Sequence, residues 1–383
     1  MNIPYWRLSA FYWFYFAALG AWVPFWSVYL QFQGFSVVEI GQLMALFMVA
    51  RILAPALLGW LADATGQCMA LVRLASLLTV LFFLGVFVVE GHFMGMAAIT
   101  LAFSFCWNAA LPQLEAATFI HLGEFRYRYS HIRLWGSVGF IVAVASLGPL
   151  LERWSIEALP WVIWVCFVGL WVSSRCVPDT PVCPRATPSP VALRTLLRQP
   201  AVLSLVGVCF LMQAGHAPYY TFYSIYLDTK GYSGTVIGLL WALGVLAEVL
   251  LFLRVDRWIS RYGVRALLLI SLLLATVRWI IIGFWADTLG WLMVAQLLHA
   301  ASFGLHHAAA IQLTHQLFKG QHHGKGQALY ASLFGAGGAV GAMYSGYCWD
   351  LGGAMLAYGV AALLCLLGLG WAWRGIKLNM LEA

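Results

Sequence analysis

Long, nearly unbroken apolar runs fall at roughly 5–31, 38–62, 70–90, 93–120, 131–151, 158–175, 200–227, 235–255, 265–285, 290–317, 326–349 and 353–373. Each is about the ~20 residues that a helix needs to cross a bilayer. Polar residues do not alternate with apolar ones inside them, so the strands of a transmembrane barrel are excluded. A backbone in hydrocarbon must satisfy its own N–H and C=O groups, and the pattern therefore predicts twelve transmembrane helices. The first run opens on aromatic residues without a small-residue cleavage site. It is expected to remain as a span, not to be removed as a signal. Connections are short except at 177–198, where Pro178, Pro181, Pro184, Pro188 and Pro190 stand with Arg185, Arg194 and Arg198. That stretch reads as a linker. The expected organisation is a six-helix bundle at 1–176, a linker at 177–198 and a second six-helix bundle at 199–383.

Composition agrees with lipid as the main solvent. Apolar residues make up 63% of the chain and charged residues 9%, too few for the polar surface of a soluble domain of 383 residues. The net charge of +7 raises the question of nucleic acid. The positions of the charges answer it. Of the 21 Lys and Arg, seventeen lie at the two ends, in the connections after even-numbered spans, or on their flanks. Arg153 and Lys230 lie on the opposite side, and Arg51 and Arg278 lie inside spans. By the positive-inside rule both termini are expected in the cytoplasm, with the chain in a cell inner membrane. The basic balance is thus topology, and no nucleic-acid partner is expected. The eight cysteines are scattered without a CxxC pair, so neither a metal site nor a disulfide framework is expected. No cofactor is called for.

The halves repeat. A shift of 197 residues sets Ser27, Tyr29, Leu30, Gly34, Ser36, Ile40 and Gly41 on Ser224, Tyr226, Leu227, Gly231, Ser233, Ile237 and Gly238. Eleven of the 25 positions from 27 to 51 are identical. Parallel repeats of six helices are a mark of transporters with a midplane site between the halves. The same shift sets Arg51 on Glu248.

Ionisable groups inside the membrane carry the functional signal, because each costs about 2.5–3.5 kcal/mol to insert. They are Arg51, Glu115, Arg133, Glu248, Arg278, His299 and His306, with Gln213 and His216 beside them; Arg133 lies near the start of its helix. Asn108 and Glu115 are seven apart and share a helix face. His299, Ser302, Phe303 and His306 are expected to form one stripe, and Gln213, His216, Tyr220 and Tyr223 another. Polar and aromatic groups mixed in this way suit a cavity wall better than lipid. Buried structural ion pairs, such as Arg51 with an acid of its own half, are the competing reading, as is a hydrogen-bonded core histidine for His216. His322 and His323 stand beside Lys319 and Lys325 and read as a solvated loop. Arg51, Arg133 and Arg278 exceed Glu115 and Glu248 by one charge. A guanidinium in excess is a clamp for a carboxylate, and aromatic walls hold an apolar tail. The expected cargo is a small organic anion carried with protons. Glu248 and the histidines are the groups able to exchange them.

Several motifs resemble the major facilitator superfamily. Gly59, Leu61, Asp63 and Gly66 after the second span resemble its loop motif, without the usual basic residues, and a cognate stands after the eighth at Asp256, Arg257, Arg261, Gly263 and Arg265. The resemblance implies a gating role for Gly59, Asp63, Gly66, Asp256 and Arg257. Gly20 to Leu30 and Arg133 to Phe140 are similar to the lactose permease branch, and Glu115 and Arg133 keep that branch's 18-residue separation of acid and arginine, with Asn108 in its place. There Phe140 stands for the stacking tryptophan, Leu251 for an asparagine and Ser302 for the proton-carrying glutamate. These departures count against a disaccharide and leave Glu248, His299 and His306 as proton carriers.

Pro24 to Ser27, Arg51, Ile132 to Ser137, Gly215, His216, Tyr220, Ala247, Glu248, Arg278, His299 and His306 resemble the phenylpropionate permease group more closely. That resemblance implies an all-α major facilitator fold and proton-coupled import of a small aromatic acid. It implies substrate binding by Arg51, Asn108, Glu115, Arg133, Phe140, His216 and Tyr220. Proton coupling falls to Glu248, Arg278, His299 and His306. Sugar or nucleoside symport, and a sensor without flux, are the alternatives. A drug exporter fits less well, since only Gly148 and Pro149 echo the exporter run. No enzyme is expected: the acids lie on separate helices and the histidines of the tenth span lack a carboxylate on their own helix. The fold requires only a monomer.

Overall fold

The computed structural model describes residues 3–179, 198–319 and 322–376, without the side chain of His323. The expected linker at 177–198 lies for the most part outside the described residues, as does Lys377.

The first six helices are α1 (Tyr5–Phe32), α2 (Val37–Thr65), α3 (Cys68–Phe83), α4 (Phe93–Leu122), α5 (Tyr129–Trp154) and α6 (Leu159–Cys176). Then come α7 (Pro200–Thr229), α8 (Gly234–Phe252), a short helix at Val255–Tyr262, and α9 (Val264–Trp285). The tenth span, α10, runs as Leu289–His299, a π-helical turn at Ala300–Leu305, and His306–Leu317. The run His323–Gly375 is broken by non-helical dihedrals at Gly352 and Gly353, giving α11 (323–351) and α12 (354–375). Among the described residues, ten stretches are long and apolar enough to cross a membrane by themselves. The last of them, Gly324–Gly375, is two spans joined at that break, and the π turn divides α10, which is the twelfth. Among the described residues there is no strand. The observed helices track the apolar runs closely. The short helix at Val255–Tyr262 was not foreseen, because its eight residues are amphipathic, not apolar.

Two compact units emerge: Met1–Ala186 with Gly231–Ala242, and Thr187–Lys230 with Leu243–Ala383. Within the first, α1 packs on α5 and α6, α2 on α4, and α3 on α4 and α6. Within the second, α7 and α9 pack on the α11–α12 run and α9 on α10. The start of α8 clusters with the first unit because Glu152 at the end of α5 accepts from the Thr235 backbone N–H (2.7 Å) and hydroxyl (2.9 Å).

Local chemistry explains the ends. Ser36 and Glu39 form a reciprocal capping box at the start of α2, and Gly66 closes that helix at φ 70°. Pro24, Pro55, Pro112, Pro149 and Pro218 sit inside helices, as lipid-embedded spans tolerate when neighbours re-satisfy the freed carbonyls. The core of the first unit is aromatic. Trp22 stacks on Trp26 at 4.1 Å and meets Phe103 edge-on at 5.1 Å, and Trp107 meets Phe167 at 4.9 Å. Helices α1 and α5 approach closely at Gly139, where a Cβ would lie 2.6 Å from the Trp13 carbonyl oxygen. Gly139→Val is therefore expected to cost about 1–3 kcal/mol by overpacking. The thermal midpoint of the purified variant should fall by several degrees, and an unchanged midpoint would show that the two helices part freely.

One expectation about cysteine is corrected. Cys68 is disulfide-bonded, with its partner outside the described residues.

Candidate functional site

Each unit gathers its predicted polar residues into one cluster. In the first unit, Glu115 on α4 and Arg133 in the second turn of α5 share a tyrosine-rich patch. Tyr129 donates its hydroxyl to Glu115 Oε1 at 3.1 Å, and Tyr12 donates to Thr118 Oγ1 at 3.4 Å. The Arg133 guanidinium lies over the Phe16 ring at 3.8 Å and over Tyr12 at 5.8 Å. Arg51, on an exposed face of α2, lies within electrostatic reach of the buried Tyr15, as do Glu115 and Arg133. No ion pair within 4 Å joins Glu115 to Arg133 among the described residues. Asn108 is buried and donates to the Ser104 carbonyl at 2.8 Å. Phe140 is buried on α5.

In the second unit the centre is Arg278 on α9. Its side chain is fully buried. Nε donates to the Ala295 carbonyl at 2.9 Å and Nη1 to Ser302 Oγ at 3.3 Å, while Nη2 has no partner among the described residues. Aromatic faces cover the charge: Tyr219 lies 4.2 Å from it and Trp279 4.6 Å. No carboxylate comes within 4 Å of it among the described residues. A buried guanidinium without a counter-ion is costly, since ion pairing is what ordinarily offsets the loss of hydration.

Around it stand the histidines. His216 on α7 donates Nδ1–H to the Met212 carbonyl at 2.8 Å, which leaves Nε2 as a bare acceptor with no partner among the described residues. His299 Nε2 lies 3.6 Å from Glu248 Oε2 on α8, an ion pair when the ring is protonated. His306 Nδ1 meets Ser271 Oγ at 3.2 Å, and that hydroxyl donates to the Leu268 carbonyl, so the imidazole is the donor. Tyr220 is half-buried and lies 6.1 Å from the His216 ring. A small pocket of about 10 Å³, lined by Gln213, His216, Ser302, Phe303, His306 and Tyr330 among others, lies between α7, α10 and α11.

Of the expected stripe of His299, Ser302, Phe303 and His306, the last three line that one pocket and His299 does not. The π turn inserts one extra residue into the helical cycle. The rings of His299, Phe303 and His307 then stack four apart, at 5.3 Å and 6.1 Å with interplanar angles of 7° and 5°. Ser302 and His306 line the same pocket as Phe303 and His307 and also reach α9, where they meet Arg278 and Ser271. His307, Tyr219 and Trp279 were not among the predicted residues. Spacing could have indicated His307, four after Phe303; Trp279 directly follows Arg278 in a stretch that resembles the phenylpropionate permease group, but the resemblance gave it no role.

The residues expected to gate are spread over two connections. Asp63 is exposed near the end of α2, four residues after Gly59, and Gly66 is the left-handed cap of that helix. Asp256 and Arg257 are exposed in the first turn of the short helix.

The model of the MFS_1 like family matches residues 5–360. The chain belongs to that family. It is 29% identical over 367 residues to a probable 3-phenylpropionic acid transporter of Escherichia coli (strain K12), covering 94% of each chain. It is 27% identical over 371 residues to the maltose permease of Geobacillus stearothermophilus, covering 93% of this chain and 91% of that one. A mutant form of the nucleoside transporter NupG superposes with a TM-score of 0.86 over 99% of this chain and 100% of that one, at 16% identity. That likeness is one of fold. The twelve helices therefore form a major facilitator fold of two six-helix bundles, and the protein is a multi-pass secondary transporter of a small molecule.

Proposed function

We propose that the protein imports a small aromatic carboxylic acid together with protons across a cell inner membrane, as a monomer with both termini in the cytoplasm. One observation carries the reading: Arg278 is buried among aromatic rings with no carboxylate in reach and one donor idle. A substrate carboxylate supplies the missing negative charge, and a guanidinium takes it in two parallel hydrogen bonds. The neighbouring rings of Tyr219, Trp279 and Phe303 hold an aromatic tail. The acid reaches Arg278 only after this aromatic layer opens, so binding and conformational change are linked. Arg51 and Arg133 add positive charge in the first bundle. Asn108, Glu115 and Phe140 in the first bundle, and His216 and Tyr220 in the second, are the further substrate-binding residues of this reading.

Glu248 is the proton carrier. It lies 3.6 Å from His299, so a proton passes between them without large movement. His306 belongs to the same relay through the π turn. Gly59, Asp63 and Gly66, with Asp256 and Arg257, brace the two connections during alternating access.

The likeness to a maltose permease favours a neutral sugar as a second reading. A thermal-shift screen of the purified protein with 3-phenylpropionate, aliphatic acids, sugars and nucleosides separates the two. Stabilisation by aryl acids, abolished in Arg278→Gln and reduced in Arg51→Gln, is the expected result. Stabilisation by sugars alone would overturn the substrate assignment. Binding without accumulation in proteoliposomes would assign a sensor.

A further inference from the structure

A second, larger cavity lies in the C-terminal unit; none of its lining residues has a role above, and Arg257 at its rim is shared with the gating connection. Its volume is about 610 Å³, within the range of small-molecule sites. It runs between α8, the short helix, α9 and α10, and its walls include Leu246, Leu250, Trp258, Ile270, Leu297 and Ala301. Every lining residue is apolar or aromatic, and the Tyr262 hydroxyl is the one side-chain polar group apart from the Trp258 ring N–H. Small residues make the floor: Ala300 and Ala301 are the first two residues of the π turn. Leu246, Leu250, Ile270 and Leu297 are all exposed, so the groove opens sideways toward lipid.

The rim differs in character. Trp258 and Tyr262 come from the short helix, one turn apart on one face. At 100° per residue, Arg257 and Arg261 fall beside that face, and Arg254 is the cap residue just before the helix. Asp256 and Ser260 fall on the far side. All three arginines are exposed, and none makes an ion pair among the described residues. Arg265 is committed elsewhere, because its guanidinium donates to the Trp373 and Ile376 carbonyls. Three exposed guanidinium groups thus stand on the element that supplies Trp258 and Tyr262 to the apolar trough, Arg261 lying over the Tyr262 ring at 5.3 Å. Tryptophan and tyrosine at the boundary are the residues found at headgroup depth.

We propose that this groove is a binding site for an anionic glycerophospholipid. One acyl chain lies along α8, α9 and α10 against Ala300 and Ala301, and the phosphate is held by Arg254, Arg257 and Arg261. The charge complementarity selects an anionic headgroup over a zwitterionic one. The chain rests on the outer wall of the π turn whose inner wall carries Ser302 and His306. Lipid occupancy therefore supports the turn that positions the proton relay.

Native mass spectrometry of the purified full chain tests the site. The chain is titrated with phosphatidylglycerol and with phosphatidylcholine of matched acyl chains. The wild type should bind the anionic lipid at least about tenfold more tightly, since each arginine near an anionic surface adds attraction. The triple variant Arg254→Gln, Arg257→Gln, Arg261→Gln should bring the two lipids to within about twofold of each other. Ala301→Phe, which fills the floor, should lower occupancy by both. Glycerol phosphate without acyl chains should not compete. Equal binding of the two lipids by the wild type, an anionic preference that survives the triple variant, or undiminished binding by Ala301→Phe would each overturn the proposal. Competition by glycerol phosphate would assign a free-phosphate site instead. The triple variant changes only exposed side chains, so its fold is checked by an unchanged thermal midpoint.

Discussion

Arg278→Met should lose uptake of an aromatic acid by at least about 100-fold and yet remain as stable as the wild type. The two halves of this result have separate causes. Two charge-assisted hydrogen bonds to a carboxylate are worth about 1.5–3 kcal/mol each, which is the origin of the loss. Stability is decided by desolvation. Arg278 is fully buried, lacks a carboxylate within 4 Å among the described residues, and leaves Nη2 unpartnered. Methionine of similar length fills the space under Tyr219 and Trp279 and removes that burden. Replacing buried ionic groups by well-packed apolar ones is often neutral or stabilising by about 1–4 kcal/mol. The Ala295 carbonyl and Ser302 hydroxyl lose a donor, which offsets part of the gain. A thermal unfolding curve and an initial-rate assay with labelled 3-phenylpropionate measure both quantities. A large drop in the midpoint together with the loss of uptake would mean that Arg278 is structural, held by contacts worth more than its desolvation. Full uptake by the variant would remove Arg278 from the substrate site.

The physical origin of each feature decides how much of it the sequence displays. The spans were legible because apolar length is a one-dimensional property, and lipid leaves helices as the solution for continuous runs. Arg51 and Glu248 were legible because a charge in a span stands out against 63% apolar residues. The π turn was not. Helical spacing assumes 3.6 residues per turn, and nothing in Ala300 to Leu305 announces an extra residue. Across that turn His299, Phe303 and His307 stack four apart, while Ser302 and His306, which share a pocket wall with Phe303, also meet α9. Ser302 shows the limit in another way. As a sequence position it marks a missing acid, whereas in the fold it is the hydroxyl that takes one of the Arg278 donors. The aromatic cover of Arg278 was equally hidden, since neither spacing nor resemblance gave Tyr219 or Trp279 a role.

Glu248→Gln should abolish proton-driven accumulation while sparing exchange. Glutamine keeps the shape and neutrality of the protonated acid, so the loaded carrier still forms and still reorients. It cannot release a proton, so the pH gradient no longer does work on the substrate. One proton carried per anion makes each pH unit worth 1.36 kcal/mol, or about tenfold in concentration. With the outside two units more acidic, wild-type vesicles should accumulate the acid about 100-fold, and Glu248→Gln vesicles should only equilibrate it. Counterflow of labelled against unlabelled acid should continue in the variant, which separates lost coupling from lost binding. His299 is the group to compare. At 3.6 Å from Glu248 it can hand the proton on, and its ring stacks on Phe303 at the edge of the π turn. If Glu248 holds the proton and His299 relays it, His299→Gln should slow accumulation without changing the level finally reached. Full accumulation by Glu248→Gln, with accumulation lost in His299→Gln, would move the proton site onto the histidine.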